Sequence, residues 1–311
     1  MKIGLDIMGG DFAPEAAVLG AIEVHKALSG ATLVLIGDKS IAVKILQDNN
    51  FSPDNFEFVH TTEVIGMGEH PTKAIAQKPG SSIALGFTLL KEGAIQAFSS
   101  AGNTGAMLVG SMFSVKAIPG VMRPAVTSIV PQLSGKLSLL LDVGANADCK
   151  PDMLVQFGML GSLLAKYVFK VDNPRGALVN IGEEEEKGNI LTQATFPLLK
   201  AAENLNFVGN VESRHIFDDV ADVMVSDGFT GNVIIKLSES FYEIAHNKGI
   251  KDEFFDRFNY EQYGGSPIVG VNASVVVGHG ISNPEAIKNM VLLSKTVFES
   301  GVIDKITHAF Q

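Results

Sequence analysis

One cysteine, Cys149, stands in a chain of 311 residues, which excludes an internal disulfide and a cysteine-built zinc site and predicts a reducing, cytoplasmic setting. Cations are scarce too. Lysine and arginine number 24 against 34 aspartates and glutamates, a formal charge of -10 with a pI near 5.2. Phosphate backbones demand clustered cations, so no nucleic-acid partner is expected, and any anionic ligand has to be met locally. Neither a Gly-x-Gly-x-x-Gly fingerprint nor a Gly-x-x-x-x-Gly-Lys-Ser/Thr loop occurs, which argues against a dinucleotide or a nucleoside triphosphate. The seven histidines form no His-x-x-His or His-Glu-x-x-His pair and no Gly-x-Ser-x-Gly elbow is present, so zinc and hydrolase readings lack support. No cofactor and no metal are expected. Long apolar runs are missing as well: even Met153 to Phe169 carries Gln156 and Lys166, and it reads as a buried helix in which Gly158 and Gly161 allow close packing. Met1-Lys2 leads straight into the alternating Ile3, Leu5 and Ile7, a first strand rather than a signal segment.

What is present is length and apolar content. The chain exceeds the roughly 250 to 300 residues of a single core, so one large α/β unit with two lobes and no clean internal boundary is expected. Hydrophobic residues at 46% and a mean hydropathy of +0.24 fit strands buried on both faces, an apolar subunit interface, or both. A homo-oligomer is expected.

Strand and helix patterns alternate almost throughout, which predicts a largely parallel sheet. Strands are expected over Lys2 to Met8, Thr32 to Ile36, Phe56 to Val59, Ala94 to Phe98, Gly176 to Ile181, Asn206 to Gly209, Asp222 to Val225 and Val275 to Val277. Val126 to Val130 and Lys136 to Leu141 form a hairpin about Ser134-Gly135. Helices are expected from Pro14 to about Ser29, to about Asp48, over Ser81 to Lys91, Asn103 to Lys116, from Asp152, from Lys187-Gly188 to about Glu203, over Val233 to Ala245, and over Ser282 to Ser300 and Ile303 to Phe310. Thr61 to Lys78 reads as a surface loop with one helical turn, near the site.

Two stretches nearly copy one another. Ser100-Ala101-Gly102-Asn103-Thr104-Gly105 and Ser226-Asp227-Gly228-Phe229-Thr230-Gly231 both fit Ser-x-Gly-x-Thr-Gly after a short apolar run. A strand, a glycine turn and a helix start present free N–H groups and a positive dipole end, which suit an anionic oxygen. Two such turns are expected to frame one site, although each alone is also ordinary strand punctuation. Asp6 to Asp11, Asp142 to Asn146, Gly182 to Lys187 and Gly278 to Gly280 fall at strand ends as well, where parallel sheets bind ligands. The inventory is donors and hydroxyls, with Arg123, Lys187 and His279 as charges, and it suits an oxyanion such as phosphate more than a covalent nucleophile. Lys187 either meets that anion from a helix start or balances Glu183 to Glu186; Arg123 is an anion ligand or a surface residue; His279 is a base or a satisfied buried histidine. Cys149 reads as a small buried side chain rather than an acyl-accepting thiol, and Asp6, Asp11, Asp142 and Asp227 as caps and network members rather than metal ligands. Phe254, Phe255 and Phe258 among cations read as a short helix burying aromatics in preference to a membrane contact.

In order along the chain, Leu5-Asp6-Ile7-Met8-Gly9-Gly10-Asp11, the first glycine turn, Arg123-Pro124-Ala125, Leu141-Asp142-Val143-Gly144-Ala145-Asn146, Asn180-Ile181-Gly182-Glu183 with Lys187-Gly188-Asn189, Asp227 to Asn232, Tyr263-Gly264-Gly265 and His279-Gly280 resemble the motif series of the bacterial phosphate acyltransferase (PlsX) family. The resemblance spans the whole chain. It implies a three-layer α-β-α fold with a mostly parallel sheet in two lobes, like isocitrate and isopropylmalate dehydrogenases and phosphotransacetylase. It implies transfer of a fatty acyl group from acyl-acyl carrier protein to inorganic phosphate, giving acyl phosphate for phospholipid biosynthesis by a cytoplasmic homodimer loosely associated with the membrane. A membrane-bound glycerol-3-phosphate acyltransferase is a candidate partner. The piece between Asn232 and Tyr263 is shorter than in many members, where it reaches the membrane. Carried over residue by residue, the substrate-binding candidates are Asp6, Gly9, Gly10, Asp11, Ser100, Gly102, Asn103, Thr104, Gly105, Arg123, Asp142, Gly144, Asn146, Gly228, Thr230 and Gly231. The catalytic candidates are Lys187, His279, Asp227 and Asn232. Two rival readings are a metal- and nicotinamide-dependent decarboxylating dehydrogenase on the same fold and a non-catalytic carrier-binding scaffold.

Overall fold

The computed structural model describes every residue except Ser29, so the expected end of the first helix lies outside the described residues. The chain runs β1 Lys2–Asp6, α1 Glu15–Ala27, β2 Thr32–Gly37, α2 Lys39–Asp48, β3 Glu57–His60, α3 Pro71–Gln77, α4 Ser82–Lys91, β4 Ala97–Ser100 and α5 Thr104–Gly110. It continues as β5 Ala125–Pro131, β6 Leu137–Leu141, α6 Pro151–Tyr167, β7 Arg175–Asn180, α7 Ile190–Ala201, β8 Asn206–Glu212 and β9 Val223–Val225. Last come α8 Gly228–Asn247, α9 Glu253–Asp256, β10 Ser266–Val269, β11 Ser274–Val277, α10 Pro284–Glu299 and α11 Val302–Ala309. Two compact units interleave in sequence: Met1–Ala117 with Tyr260–Glu299, and Ile118–Asn259 with Ser300–Gln311.

In the first unit β1 lies between β2 and β4, both parallel to it, β3 extends the row beyond β2, and β11 adds to β4 in parallel. Strand β10 is antiparallel to β11. Successive side chains point to opposite faces of a strand, and β1 shows it. Ile3, Leu5 and Ile7 join Val18, Ala21 and Val24 of α1 and Ile287, Met290 and Val291 of α10 in one buried cluster. On the other face Phe98 of β4 lies against Gly86 of α4 and stacks edge-on with Phe87 at 5.2 Å. The sheet of this unit is therefore covered on both sides, which is why its central strands read as continuous apolar runs.

The second unit holds β5 antiparallel to β6, the expected hairpin, and then β6, β9, β7 and β8 in that order, all parallel. Helix α6 covers one face, as its sequence predicts. A Cβ on Gly161 would lie 2.5 Å from Val223 and 2.8 Å from Leu141, so glycine is what lets the helix sit on the strands. Phe254 and Phe258 pack with Phe217 and Phe241, ring centroids 5.0 to 6.2 Å apart. The aromatic piece is thus a small core under α8, matching the buried reading. Among the described residues no helix is long and apolar enough to cross a membrane.

Several boundaries differ from the sequence reading. Ala94 is not in a strand; β4 starts at Ala97, because Ala94 and Ile95 bond back to Leu89 at the end of α4. The helix expected from Asn103 to Lys116 is α only to Gly110 and continues as a π-helical turn over Ser111–Val115. Thr61 to Lys78 contains a seven-residue helix rather than a single turn. The helix expected from Val233 begins at Gly228, and the one expected from Lys187 begins at Ile190.

Candidate functional site

Within each unit, three parallel strands bring their polar carboxyl ends to one edge of the sheet. In the first these are β1, β4 and β11; in the second, β6, β9 and β7. The two glycine turns belong to different units, and each is built by itself.

Asp6 closes β1 and is 1% exposed. It is hydrogen-bonded inward: its Oδ2 accepts from Ser100 Oγ at 2.7 Å and its Oδ1 from the Met8 amide at 2.9 Å. Burial pushes its carboxyl above the usual carboxylate value, against the hydrogen bonds from Ser100, Ser82 and the Met8 and Gly9 amides. Ser100 Oγ in turn accepts from the Gly102 amide at 2.9 Å. Asp6 therefore sets the first glycine turn through Ser100. A Cβ on Gly9 would stand 2.5 Å from Asp6 Oδ2 and 2.7 Å from the Gly102 backbone, so the β1 loop and the turn meet backbone to backbone. Beside them Asp11 N–H donates to Gly280 O at 2.7 Å, tying Gly10 and Asp11 to the loop of half-buried His279, whose ring lies 4.7 Å from that of Tyr260.

Asn103 is the cap of α5: its Oδ1 accepts from the Ala106 amide at 2.9 Å. Its Nδ2 donates to the carbonyls of Gly66, Met67 and Glu69 at 3.0 to 3.1 Å. The 61–78 segment is thereby fastened to the turn, near which the sequence placed it, and Lys78 steadies it from below through Glu69 and the Val64 carbonyl. Among the described residues the amides of Thr104 and Gly105 have no hydrogen-bond partner, as first-turn helix amides do not.

In the second unit Asp142 stands in the same relation to Ser226 as Asp6 to Ser100: Leu141 pairs with Val225 as Leu5 pairs with Ser99. Asp142 is fully buried. Its Oδ1 accepts from the Val126 and Ala145 amides at 3.0 and 3.2 Å, and its Oδ2 from the Asn146 amide and Nδ2 at 2.6 and 2.9 Å. Burial raises this carboxyl too, and no cation pairs with it among the described residues. Asn146 passes the order onward, its carbonyl accepting from the Gly228 amide at 2.8 Å and its Nδ2 donating to Pro124 O at 2.8 Å. A Cβ on Gly231 would lie 1.9 Å from the Asp142 carbonyl oxygen, so the first turn of α8 sits directly on the end of β6.

The look-alike turns are not alike in structure. Asn103, fourth in its motif, caps α5, whereas Asp227, second in its motif, caps α8. Both Asp227 oxygens are occupied, accepting from the Thr230 amide and from Thr230 Oγ1 at 2.8 Å each, a capping role. Of the first three α8 amides only that of Phe229 has no partner among the described residues. Asn232 is exposed, its Nδ2 donating to Val143 O at 3.3 Å and lying near Gly144.

Lys187 does not start a helix: Asn189 caps α7, and Lys187 lies exposed in the loop before it, its carbonyl accepting from Asn180 Nδ2 at 3.0 Å. It forms no ion pair among the described residues; Lys200 pairs with Glu185 instead. Arg123 is exposed. Cys149 is half-buried, and burial, with Asp142 close by, pushes its thiol up to about 11. Ser100 and Ser226 are 0% and 3% exposed. The strand ends thus supply open amides, while the Ser100 and Ser226 hydroxyls are sequestered.

Sequence reasoning passed over one feature, a cavity of about 500 Å3 in the second unit lined by Leu154, Val179, Asn180, Thr192 and Ser226, with Phe229 and Val233 of α8 at its rim. Its only signal in the sequence is the apolar spacing Phe229, Val233, Leu237, which a buried helix face shares. Among the described residues no group of three or more His, Cys, Asp or Glu is placed to hold a metal ion.

A family model, fatty acid synthesis protein, matches residues 1–305. A phosphate acyltransferase from Dictyoglomus turgidum is 41% identical over 98% of this chain and 96% of its own length. Among solved structures, a phosphotransacetylase from Streptococcus pyogenes aligns over 96% of this chain and 94% of its own with a TM-score of 0.66 at 17% identity. A protein from Salmonella typhimurium described as a 4-hydroxythreonine-4-phosphate dehydrogenase aligns over 95% and 99% with a TM-score of 0.57 at 14% identity. At those identities the two structures speak for the fold alone: α/β, with a mostly parallel sheet flanked by helices.

Proposed function

This chain belongs to the fatty acid synthesis protein family and is an acyltransferase, and on that premise we propose that it moves a fatty acyl group from acyl-acyl carrier protein to inorganic phosphate. The observation that carries this reading is the pairing of open donors with sequestered nucleophiles at the strand ends. Ser100 and Ser226 are buried and hydrogen-bonded inward, and a thiol pushed up to about 11 is almost wholly protonated at neutral pH. Neither serine nor the thiol is fit to take the acyl group first. Phosphate itself is the nucleophile: one of its oxygens attacks the thioester carbonyl, the C–S bond breaks, and the carrier leaves as thiolate with acyl phosphate as product. The protein then has to position phosphate and meet the developing oxyanion.

In the first unit the Thr104 and Gly105 amides are the candidate donors and His279 the candidate for assisting proton transfer; in the second the Phe229 amide is the candidate donor and Lys187 the candidate for neutralising phosphate charge. Asp6 and Asp142 act beneath the loops rather than on substrate, and Asp227 acts as a cap. The same reading carries a homodimer, acyl phosphate for phospholipid synthesis, and peripheral delivery to a membrane-bound glycerol-3-phosphate acyltransferase.

Release of carrier thiol from palmitoyl-acyl carrier protein, with and without phosphate and with acyl phosphate trapped by hydroxylamine, tests it. Phosphate-dependent release is expected; release indifferent to phosphate overturns it. Lys187→Ala is expected to raise the KM for phosphate at least tenfold with a smaller change in kcat, and an unchanged KM removes Lys187 from the assignment.

A further inference from the structure

The cavity beside α8 is lined mostly by apolar side chains, and its Asn180 and Thr192 side chains are already hydrogen-bonded. Asn180 Nδ2 donates to Lys187 O, Asn180 Oδ1 accepts from the Ile181 amide, and Thr192 Oγ1 donates to Asn189 O, so these floor groups ask nothing of a ligand. Leu154 and Val179 are buried around them, while Phe229 and Val233 stand 68% and 53% exposed at the rim. Large apolar side chains at the mouth of a concave space favour a hydrocarbon occupant over water. One wall is Ser226, Asp227 and Thr230, the same turn whose Phe229 amide is open. A ligand filling this space therefore has an apolar tail in the cavity and a polar head at the glycine turn.

We propose that this cavity holds the acyl chain of the substrate and sets its accepted length, an assignment that rests on the acyl-transfer reading above. At roughly 30 Å3 per methylene, about one water's share of liquid volume, the space takes a chain of about 16 carbons. Leu154 and Val179 in its lining are buried, and carbons beyond what the space holds lie in solvent and gain nothing further.

The test measures chain binding apart from turnover. Fatty acids of 8, 12, 16 and 20 carbons, below their micelle concentrations, displace a fluorescent fatty acid from the full-length protein. Affinity is expected to climb by up to about fourfold per methylene and to level off near 16 carbons. Val233→Trp, at an exposed helix position, places an indole over the mouth. It is expected to weaken 16-carbon binding at least tenfold and 8-carbon binding less than threefold, the short chain serving as the control for folding. Affinity independent of length, or a 16-carbon affinity that Val233→Trp leaves unchanged, overturns the assignment. So does a dimer that Val233→Trp converts to monomer with chain binding intact, since the rim would then be a contact between copies. Chain binding that follows the expected pattern without phosphate-dependent thiol release supports the cavity assignment and removes the acyl-transfer reading instead.

Discussion

Replacing Asp142 by asparagine keeps the shape of the side chain and removes one of its two acceptors. Whichever way the new amide is turned, its NH2 faces two donors: either the Val126 and Ala145 amides or the Asn146 amide and Nδ2. Each donor left buried without a partner costs about 1–3 kcal/mol. Against this, the substitution removes a buried carboxyl that no cation pairs with, so the net loss expected at pH 7.5 is about 2–4 kcal/mol. By the scaling of larger domains that lowers Tm by about 5–10 °C. Urea unfolding of both proteins at pH 7.5, 6.0 and 4.5 measures it, with equal m-values as the check on compactness. The pH trend has a definite sign. Because burial raises the folded carboxyl above its unfolded value, its stabilising contribution is full below the unfolded value and is lost as pH rises through the folded one. Wild type therefore gains, relative to the variant, as pH falls from neutral toward about 4, and the gap widens. A variant as stable as wild type at pH 7.5 refutes the argument, the lost hydrogen bonds then being worth no more than the relief of burying a charge; a gap that narrows toward pH 4.5 refutes its pH sign, the hydrogen bonds then outweighing the desolvation.

Gly231→Ala sets a Cβ 1.9 Å from a backbone oxygen that has no side-chain freedom to yield, and a loss of about 3 kcal/mol or more is expected; a near-native Tm would mean that α8 stands off β6. Cys149, with its thiol near 11, is expected to react with iodoacetamide at pH 8 about a hundredfold more slowly than an ordinary thiol. Cys149→Ser should keep phosphate-dependent turnover within about twofold; rapid alkylation with loss of activity would restore the acyl-cysteine route. Phe258→Ala removes a ring 5.0 Å from Phe254 and 5.4 Å from Phe217, an expected loss of about 3–5 kcal/mol read by thermal denaturation.

The parallel core was legible because strands buried on both faces are spelled as apolar runs: β1, β2 and β11 come within two residues of their expected bounds. The gathering of polar residues at strand ends followed from the same alternation. What was not legible depended on which side chain caps which turn. Ser100 to Gly105 and Ser226 to Gly231 share letters, yet Asn103 has its oxygen on the Ala106 amide and Asp227 has its oxygen on the Thr230 amide, and this shifts the helix start by two motif positions. Asp6 and Asp142 were substrate-binding candidates through the resemblance while the residues themselves read as network members, and their burial and hydrogen bonds place each beneath its glycine loop. Lys187 was misplaced because Gly188 resembles a helix entry, whereas Asn189, with its oxygen on the Thr192 amide, is the residue that makes one. The cavity left almost no trace, since a concave surface is assembled from residues far apart in the chain.

The interleaving of the two units bears on how the protein is made. Strand β4 ends at Ser100, and its neighbour β11 begins at Ser274, so at roughly 5–20 residues per second a ribosome needs about 9–35 s to deliver the partner. Through that interval the nascent chain carries Ala97 and Phe98, both fully buried in the finished fold, on an unpaired sheet edge of the kind that invites aggregation. The second unit lacks only its last twelve residues by the time Asn259 has been added. Slow translation therefore lengthens the exposure of the unit that begins first and closes only between Tyr260 and Glu299, and a fragment cut at Ala117 is an open edge rather than a domain.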